Sequence, residues 1–174
     1  MSLQDLRVYI NGQRVHAYPA KYPLLIYKDI TYLPMTWEYA RALGLRTIWG
    51  QETGFSVSKD PTITETSFKE DITFSSGNQS TQHASMPEFN VLIEGTRYDN
   101  SKEEYPVFTF RDVTYIPLTW EIAVEKLGLS LKMGGTVDLS IDRQSKSDDN
   151  SIEIPKDPLK SFKKRAAERK VSGR

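Results

Sequence analysis

The string DITYLPMTWE at residues 29–38 recurs as DVTYIPLTWE at residues 112–121, and the two copies differ only by exchange of one apolar side chain for another. A shift of 83 residues aligns more than these ten positions. Val8, Ile10, Gly12, Arg14, Tyr22 and Pro23 fall on Val91, Ile93, Gly95, Arg97, Tyr105 and Pro106. Ala40 falls on Ala123; one extra residue then enters the second copy, so that Leu43-Gly44-Leu45 meets Leu127-Gly128-Leu129. A repeat of this length, with a separating linker, marks a duplicated unit rather than a solenoid. The chain therefore divides into repeat 1 within residues 1–60, a linker at 61–88, repeat 2 at 89–143, and a polar linker with a basic tail at 144–174.

Each copy carries the same order of signals. Asn11-Gly12 and Glu94-Gly95 interrupt alternating apolar residues, as a tight hairpin turn requires. Lys28-Asp29 and Arg111-Asp112 break a second pair of apolar runs, predicting a second hairpin. Pro34 and Pro117 end those strands, because proline has no N–H to donate to a ladder. Thr36 and Thr119 suit a helix N-cap, and Glu38 and Glu121 suit the positive end of the helix dipole. Trp37, Ala40 and Leu43, with Trp120, Ala123 and Leu127, fall on one helical face, which predicts both tryptophans as core anchors. Gly44 and Gly128 stand where a left-handed helix terminus is needed. Two short strands close each unit. The expected fold class is α+β: two tandem small domains, each a twisted antiparallel sheet wrapped around one short α-helix. A unit this small buries only about 60% of its unfolded surface, so the two are expected to pack together. Residues 62–74, which alternate weakly, are expected to add an edge strand or to reach the other unit. The Ser/Gln-rich stretch 75–88 reads as a mobile connection.

Charge is uneven. Residues 156–174 hold eight Lys/Arg against two acidic groups, a net +6, while residues 1–155 carry −6. Leu159, Phe162 and Ala166 lie at helical spacing among the bases, the pattern of a basic amphipathic segment. At about 1 kcal/mol per base near an anionic surface, such a tail supports salt-sensitive attachment. There is no cysteine, so disulfides and thiolate chemistry are excluded. No run of 18 apolar residues is present, so no membrane-spanning helix is expected. The opening Met1-Ser2-Leu3 has the look of a vector-derived start on a trimmed chain, from which a signal peptide would be missing.

The series VYINGQRV, YPLLIYKDITYLPMTWEYARALGL, IWG and FSVS, given twice, resembles the copper amine oxidase N-terminal-like (stalk) domain family. The resemblance covers about 110 of the 174 residues. It implies a small antiparallel sheet on one helix. It also implies a secreted or cell-envelope setting in Gram-positive bacteria and a binding role without catalysis. The chain departs from the family pattern at Met35-Thr36 and Leu118-Thr119, where arginine is usual after the Pro-Leu pair, and at the non-glycine turns Lys28-Asp29 and Arg111-Asp112.

Copper itself is not expected. An oxidase-type site needs three clustered imidazoles, and the chain has two histidines, His16 and His83. The Asn-Tyr string that yields the redox cofactor of such oxidases is missing. No cofactor or metal site is therefore expected. The repeated carboxylates, Asp29 with Asp112 and Glu38 with Glu121, can act as a pair only if a symmetry axis brings them together. As turn and helix-start residues they are already explained. No phosphate loop, nucleophile elbow or zinc helix motif occurs.

Function is better sought where the copies differ. Trp49 stands opposite Met133 and His16 opposite Asp99. The ligand-binding candidates are Trp49 and the tail residues Lys160, Lys163, Lys164, Arg165, Arg169 and Lys170. The expectation is a non-catalytic binding or spacer module of the cell envelope, contacting anionic wall polymer, peptidoglycan or another envelope protein. The alternatives are a wall-active hydrolase with a site between the repeats and an intracellular (cytoplasmic) interaction domain with a basic docking tail. Sequence-specific nucleic-acid binding is not expected, given the acidic body.

Overall fold

The computed structural model describes residues 2–3, 7–16, 20–72, 78–79, 81–134 and 138–144. Repeat 1 forms β1 (Ser2–Leu3), β2 (Arg7–Ile10), β3 (Gln13–Val15), β4 (Leu25–Tyr27), β5 (Ile30–Pro34), helix α1 (Trp37–Ala42), β6 (Leu45–Gly50) and β7 (Gly54–Lys59). Repeat 2 forms β8 (Val91–Ile93), β9 (Thr96–Arg97), β10 (Phe108–Phe110), β11 (Val113–Pro117), helical turn α2 (Glu121–Lys126), β12 (Leu129–Gly134) and β13 (Asp138–Arg143). The fold is mixed α+β.

All four expected hairpin turns form with two successive positive φ angles: 48° and 81° at Asn11-Gly12, 47° and 64° at Lys28-Asp29, 51° and 75° at Glu94-Gly95, 50° and 63° at Arg111-Asp112. This is the mirror-image turn whose twist matches that of paired strands. Thr36 Oγ1 accepts from Tyr39 N–H at 3.4 Å, and Thr119 Oγ1 from Ile122 N–H at 3.3 Å. Gly44 and Gly128 both take the left-handed conformation after their helices. The extra residue of repeat 2 is absorbed by widening the helix. Leu127 N–H reaches back five residues to Ile122 O at 2.9 Å, whereas Leu43 N–H reaches back four to Tyr39 O. A π-turn of this kind takes up one inserted residue inside a helix. Ala40 with Ala123, and Leu43 with Leu127, stay buried in consequence.

The sheets depart from the expectation of one antiparallel sheet per repeat. Each sheet takes strands from both repeats. One has the order β1-β4-β5-β11-β10, the second β12-β13-β2-β3, and the third β6-β7-β8-β9. The closing hairpin of each repeat thus joins the opening hairpin of the other. The joints, β13 with β2 and β7 with β8, are parallel. A lone two-stranded hairpin is marginal in water; exchange of hairpins turns four of them into two four-stranded sheets. Alternation in a sequence reports which face a residue takes, not which strand lies beside it, so this pairing was hidden.

The β5–β11 pair places Leu33 opposite Ile116, with Pro34 opposite Tyr115 and Tyr32 opposite Pro117. Leu33 and Ile116 are repeat mates, so a local twofold passes between them. Both are fully buried, within one apolar cluster that draws on both repeats. The correspondence also begins earlier than the sequence suggests. Ser2 pairs with Ile26, and its mate Ser85 bridges Thr109, the mate of Ile26.

Residues 61–72 form no strand. They lie as a strap on repeat 1: Phe68 is buried against Tyr39 with ring centroids 4.6 Å apart, Asp71 O accepts from Lys21 N–H, and Glu70 accepts from the His16 backbone N–H and ring Nδ1. The described part of the following connection is also anchored. Ser85 exchanges two backbone hydrogen bonds with Thr109, and Asn78 Nδ2 donates to Ala20 O.

The two central tyrosines are not equivalent. Tyr32 Oη donates to Pro106 O at 2.9 Å, whereas the buried Tyr115 hydroxyl has no protein partner among the described residues. Burial raises both phenols well above the ordinary tyrosine value, so both stay neutral. Tyr32→Phe is therefore expected to cost about 1–2 kcal/mol by leaving a buried carbonyl unpaired. Tyr115→Phe is expected to stay within about 0.5 kcal/mol of the parent. Urea unfolding of both variants checks this.

Candidate functional site

The tryptophan of α1 is not a core anchor. Trp37 is 66% exposed, and Tyr39 takes the inward position instead, at 4% exposure. A six-residue helix offers less than two turns, so a large residue at its first position can leave the core face when its neighbour two residues on fills the space. Trp120 in repeat 2 is half-buried.

Trp37 borders a cleft of about 380 Å³ between α1, β6 and the turn that follows β7, lined also by Arg41, Arg46, Thr47, Asp60 and Thr62. The Arg41 guanidinium lies 5.2 Å from the indole centroid, and its Nε is 2.7 Å from Glu65 Oε2 on the strap. Arg46, on the outer edge strand β6, places Nη2 2.6 Å from Asp60 Oδ2. Asp60 is itself buried. Its Oδ1 accepts from Thr62 N–H at 2.9 Å and from Thr62 Oγ1 at 2.5 Å, and its backbone N–H donates to Gly44 O. The Thr62 hydrogen bonds, aided by Arg46, hold the Asp60 carboxyl below the usual carboxylate range; Arg41 and Ser67 do the same for Glu65.

Of these side chains, Trp37 has a mate in Trp120, but the charged groups Arg41, Arg46 and Asp60 belong to repeat 1 alone. Val124 replaces Arg41, Ser130 replaces Arg46 and Gln144 replaces Asp60. Their presence in one copy only is the same signal that singled out Trp49, yet sequence reasoning passed over them. Trp49 itself is 59% exposed on β6, two residues beyond Thr47 of the cleft, and packs edge-on against Phe89 with centroids 4.6 Å apart. Strand alternation puts Leu45, Thr47 and Trp49 on one face of β6. Ile48 beside it is also exposed, so β6 presents an apolar outer edge where β12 carries Lys132 and Met133. The remaining candidates, Lys160, Lys163, Lys164, Arg165, Arg169 and Lys170, lie outside the described residues.

The repeated carboxylates do not meet at the twofold, which is filled by Leu33 and Ile116. Asp29 and Asp112 sit in exposed turns, and Glu121 pairs with Lys126 at 3.2 Å. His16 is bound to Glu70, while its mate Asp99 accepts from Ser101 and pairs with Lys102. Among the described residues no group of three or more His, Asp or Glu side chains is placed to hold a metal ion. No helix among them is long and apolar enough to cross a membrane. No protein-family model, curated protein or solved structure matches the chain.

Because the native pKa of Asp60 lies below its unfolded value, its contribution to stability is fully present above about pH 4 and is lost as pH falls through the native value. Asp60→Asn is expected to lower the melting temperature at pH 7, with the gap to the parent closing as pH falls through the native value. Thermal unfolding across pH measures the gap directly; a gap unchanged in acid would contradict the assignment.

Proposed function

We propose that the chain is a non-catalytic binding and spacer module of the bacterial cell envelope, contacting wall polymer or another envelope protein through the β6 side of repeat 1. The observation that carries this reading is the exposed aromatic and guanidinium surface of repeat 1, Trp37 with Arg41 and Arg46 at the cleft and the exposed Trp49 further along β6. Exposed tryptophan and arginine are the residue types that dominate recognition surfaces. The carboxylates of the cleft are suited to holding guanidinium groups. Their lowered pKa keeps them ionised, which is the wrong state for a general acid at neutral pH. The envelope setting rests on the stalk-domain resemblance. The basic tail, Lys160 to Lys170, supplies a second contact of electrostatic character.

Sedimentation with purified peptidoglycan sacculi and with anionic wall polymer tests this, using the full chain, a chain ending at residue 150, and the Trp37→Ala/Trp49→Ala double variant. Binding at low salt that weakens in the double variant supports the β6 contact. A salt-sensitive fraction lost with the tail supports the second contact. Failure of the full chain to sediment with either material at low salt would sink the wall-polymer reading.

A further inference from the structure

We infer that the Trp37 cleft is a saccharide site that takes a neutral pyranose unit, stacked on the indole with its hydroxyls on the guanidinium groups of Arg41 and Arg46. The inference rests on the binding-module reading and names the ligand class of that site.

The size and chemistry of the cleft narrow the choice. Its volume of about 380 Å³ is at the small end of the range for compact ligands, roughly 300–1,000 Å³. A wholly apolar ligand is mismatched to a lining in which Arg41, Arg46, Asp60, Thr47 and Thr62 stand beside Trp37, Ala40, Leu45 and Ile63, since the polar groups would lose water without replacement. An anion is mismatched for a different reason. Arg41 already faces Glu65, and Arg46 faces Asp60, so the cleft has no net charge to offer. A phosphate or carboxylate would have to displace Asp60, which Thr62 holds through two hydrogen bonds. The remaining match is a ligand with one flat C–H face and a rim of hydroxyls.

The indole supplies the flat face. It stays two-thirds exposed, with the Arg41 guanidinium carbon 5.2 Å from its ring centroid. The guanidinium groups supply fixed donors: each carries five N–H groups, and Asp60 and Glu65 orient them without exhausting them. The Thr62 hydroxyl, which donates to Asp60 Oδ1, keeps its own lone pairs as an acceptor. Repeat 2 has the same helix and hairpin but Val124, Ser130 and Gln144 at the equivalent positions, so it provides an internal comparison without the cleft chemistry.

The test is a titration of the full chain, followed through the indole N–H signals of its three tryptophans by NMR. The probes are cellohexaose, chitohexaose and maltohexaose, with inorganic phosphate and galacturonate as anionic comparators. We expect a saturable shift of the Trp37 signal with at least one neutral oligosaccharide and none of Trp120. By isothermal titration calorimetry with the same oligosaccharide, Trp37→Ala is expected to weaken binding at least tenfold, and Arg46→Ala at least threefold. Lys132→Ala, on the corresponding hairpin of repeat 2, is expected to leave it unchanged. Because Trp37 is exposed, its variant should keep the other two indole signals in place, which separates loss of binding from loss of fold. The inference is overturned if no neutral oligosaccharide shifts Trp37. It is equally overturned if Trp37→Ala binds within twofold of the parent, or if only phosphate or galacturonate moves the signal. Sedimentation with wall material alongside a silent Trp37 would overturn the saccharide assignment while leaving the binding-module reading in place.

Discussion

Leu33→Ala and Ile116→Ala will each lower the free energy of unfolding by about 3–5 kcal/mol, near the upper end for buried aliphatic truncations. Both side chains are fully buried, and they face one another across the local twofold, in the centre of the β5–β11 pair. The space left by either cannot be closed from one repeat alone, because the surrounding strands belong to two. The facing pair should also be non-additive: the double variant is expected to lose less than the two single losses combined, since the first truncation already loosens the contact of the second. Equilibrium unfolding in urea gives all three values. Losses below about 1 kcal/mol would show that this pair is not central to the core.

Gly54→Ala carries the second large effect, on the order of 3 kcal/mol. Gly54 opens β7 with φ +82°, and an added Cβ would stand 2.1 Å from Asn90 O and 2.9 Å from the Asn90 carbonyl carbon. The obstruction is backbone, in a segment where Phe55 N–H donates to Asn90 O at 2.9 Å, so it cannot swing away. Relief requires opening the joint between β7 and β8. Gly12 offers an internal control. Its φ is +81°, yet nothing lies within 4 Å of its added Cβ. Gly12→Ala should therefore show only the conformational cost, about 1–2 kcal/mol. The difference between the two variants isolates the close approach of the repeats. The corresponding position in the other joint is Asp138, paired with Arg7 at 2.7 Å, so one joint is closed by a missing side chain and the other by an ion pair.

What the sequence disclosed followed from local rules. A two-residue turn with both φ positive leaves a strong mark, as do a proline at a strand end, a threonine cap and a glycine after a helix, and all of these were legible. Partner choice was not. The residues of β2 and β13 alternate in the same way whether their neighbour is in the same repeat or the other one, so the parallel joints could not be seen. Asn11 illustrates the point. As a turn residue it was evident. Its Nδ2 also donates to Ala42 O and Thr66 O, its Oδ1 accepts from Arg143 N–H, and its backbone N–H donates to Ile141 O. The last contact has a repeat-related twin, Glu94 N–H to Val57 O.

The candidate site was half legible. Trp49 was found by comparing copies, and it is exposed on β6. Trp37 was placed inward because Trp37, Ala40 and Leu43 share a helical face, but so short a helix fixes its face weakly. The position two residues on would have given warning. It is Tyr39 in one copy and Ile122 in the other, large and apolar in both, as a core position must be. Arg41, Arg46 and Asp60 could have been found by the one-copy-only test extended to charged residues. What no pattern disclosed is that residues from α1, β6 and the turn after β7 close on one cleft, because that depends on the path of the strap carrying Glu65 and Phe68.

The claim on which the rest depends is that the two repeats complete one another by exchanging hairpins. A specific protease site inserted between residues 77 and 78 tests it on the otherwise intact chain. After cleavage, size-exclusion chromatography under native conditions should return both fragments in one peak at the position of the uncut protein. Separation under mild denaturant should leave neither fragment as a cooperatively folding monomer, and remixing should restore the original indole spectrum. Two fragments that part spontaneously, each monomeric and each with its own cooperative unfolding transition, would contradict it.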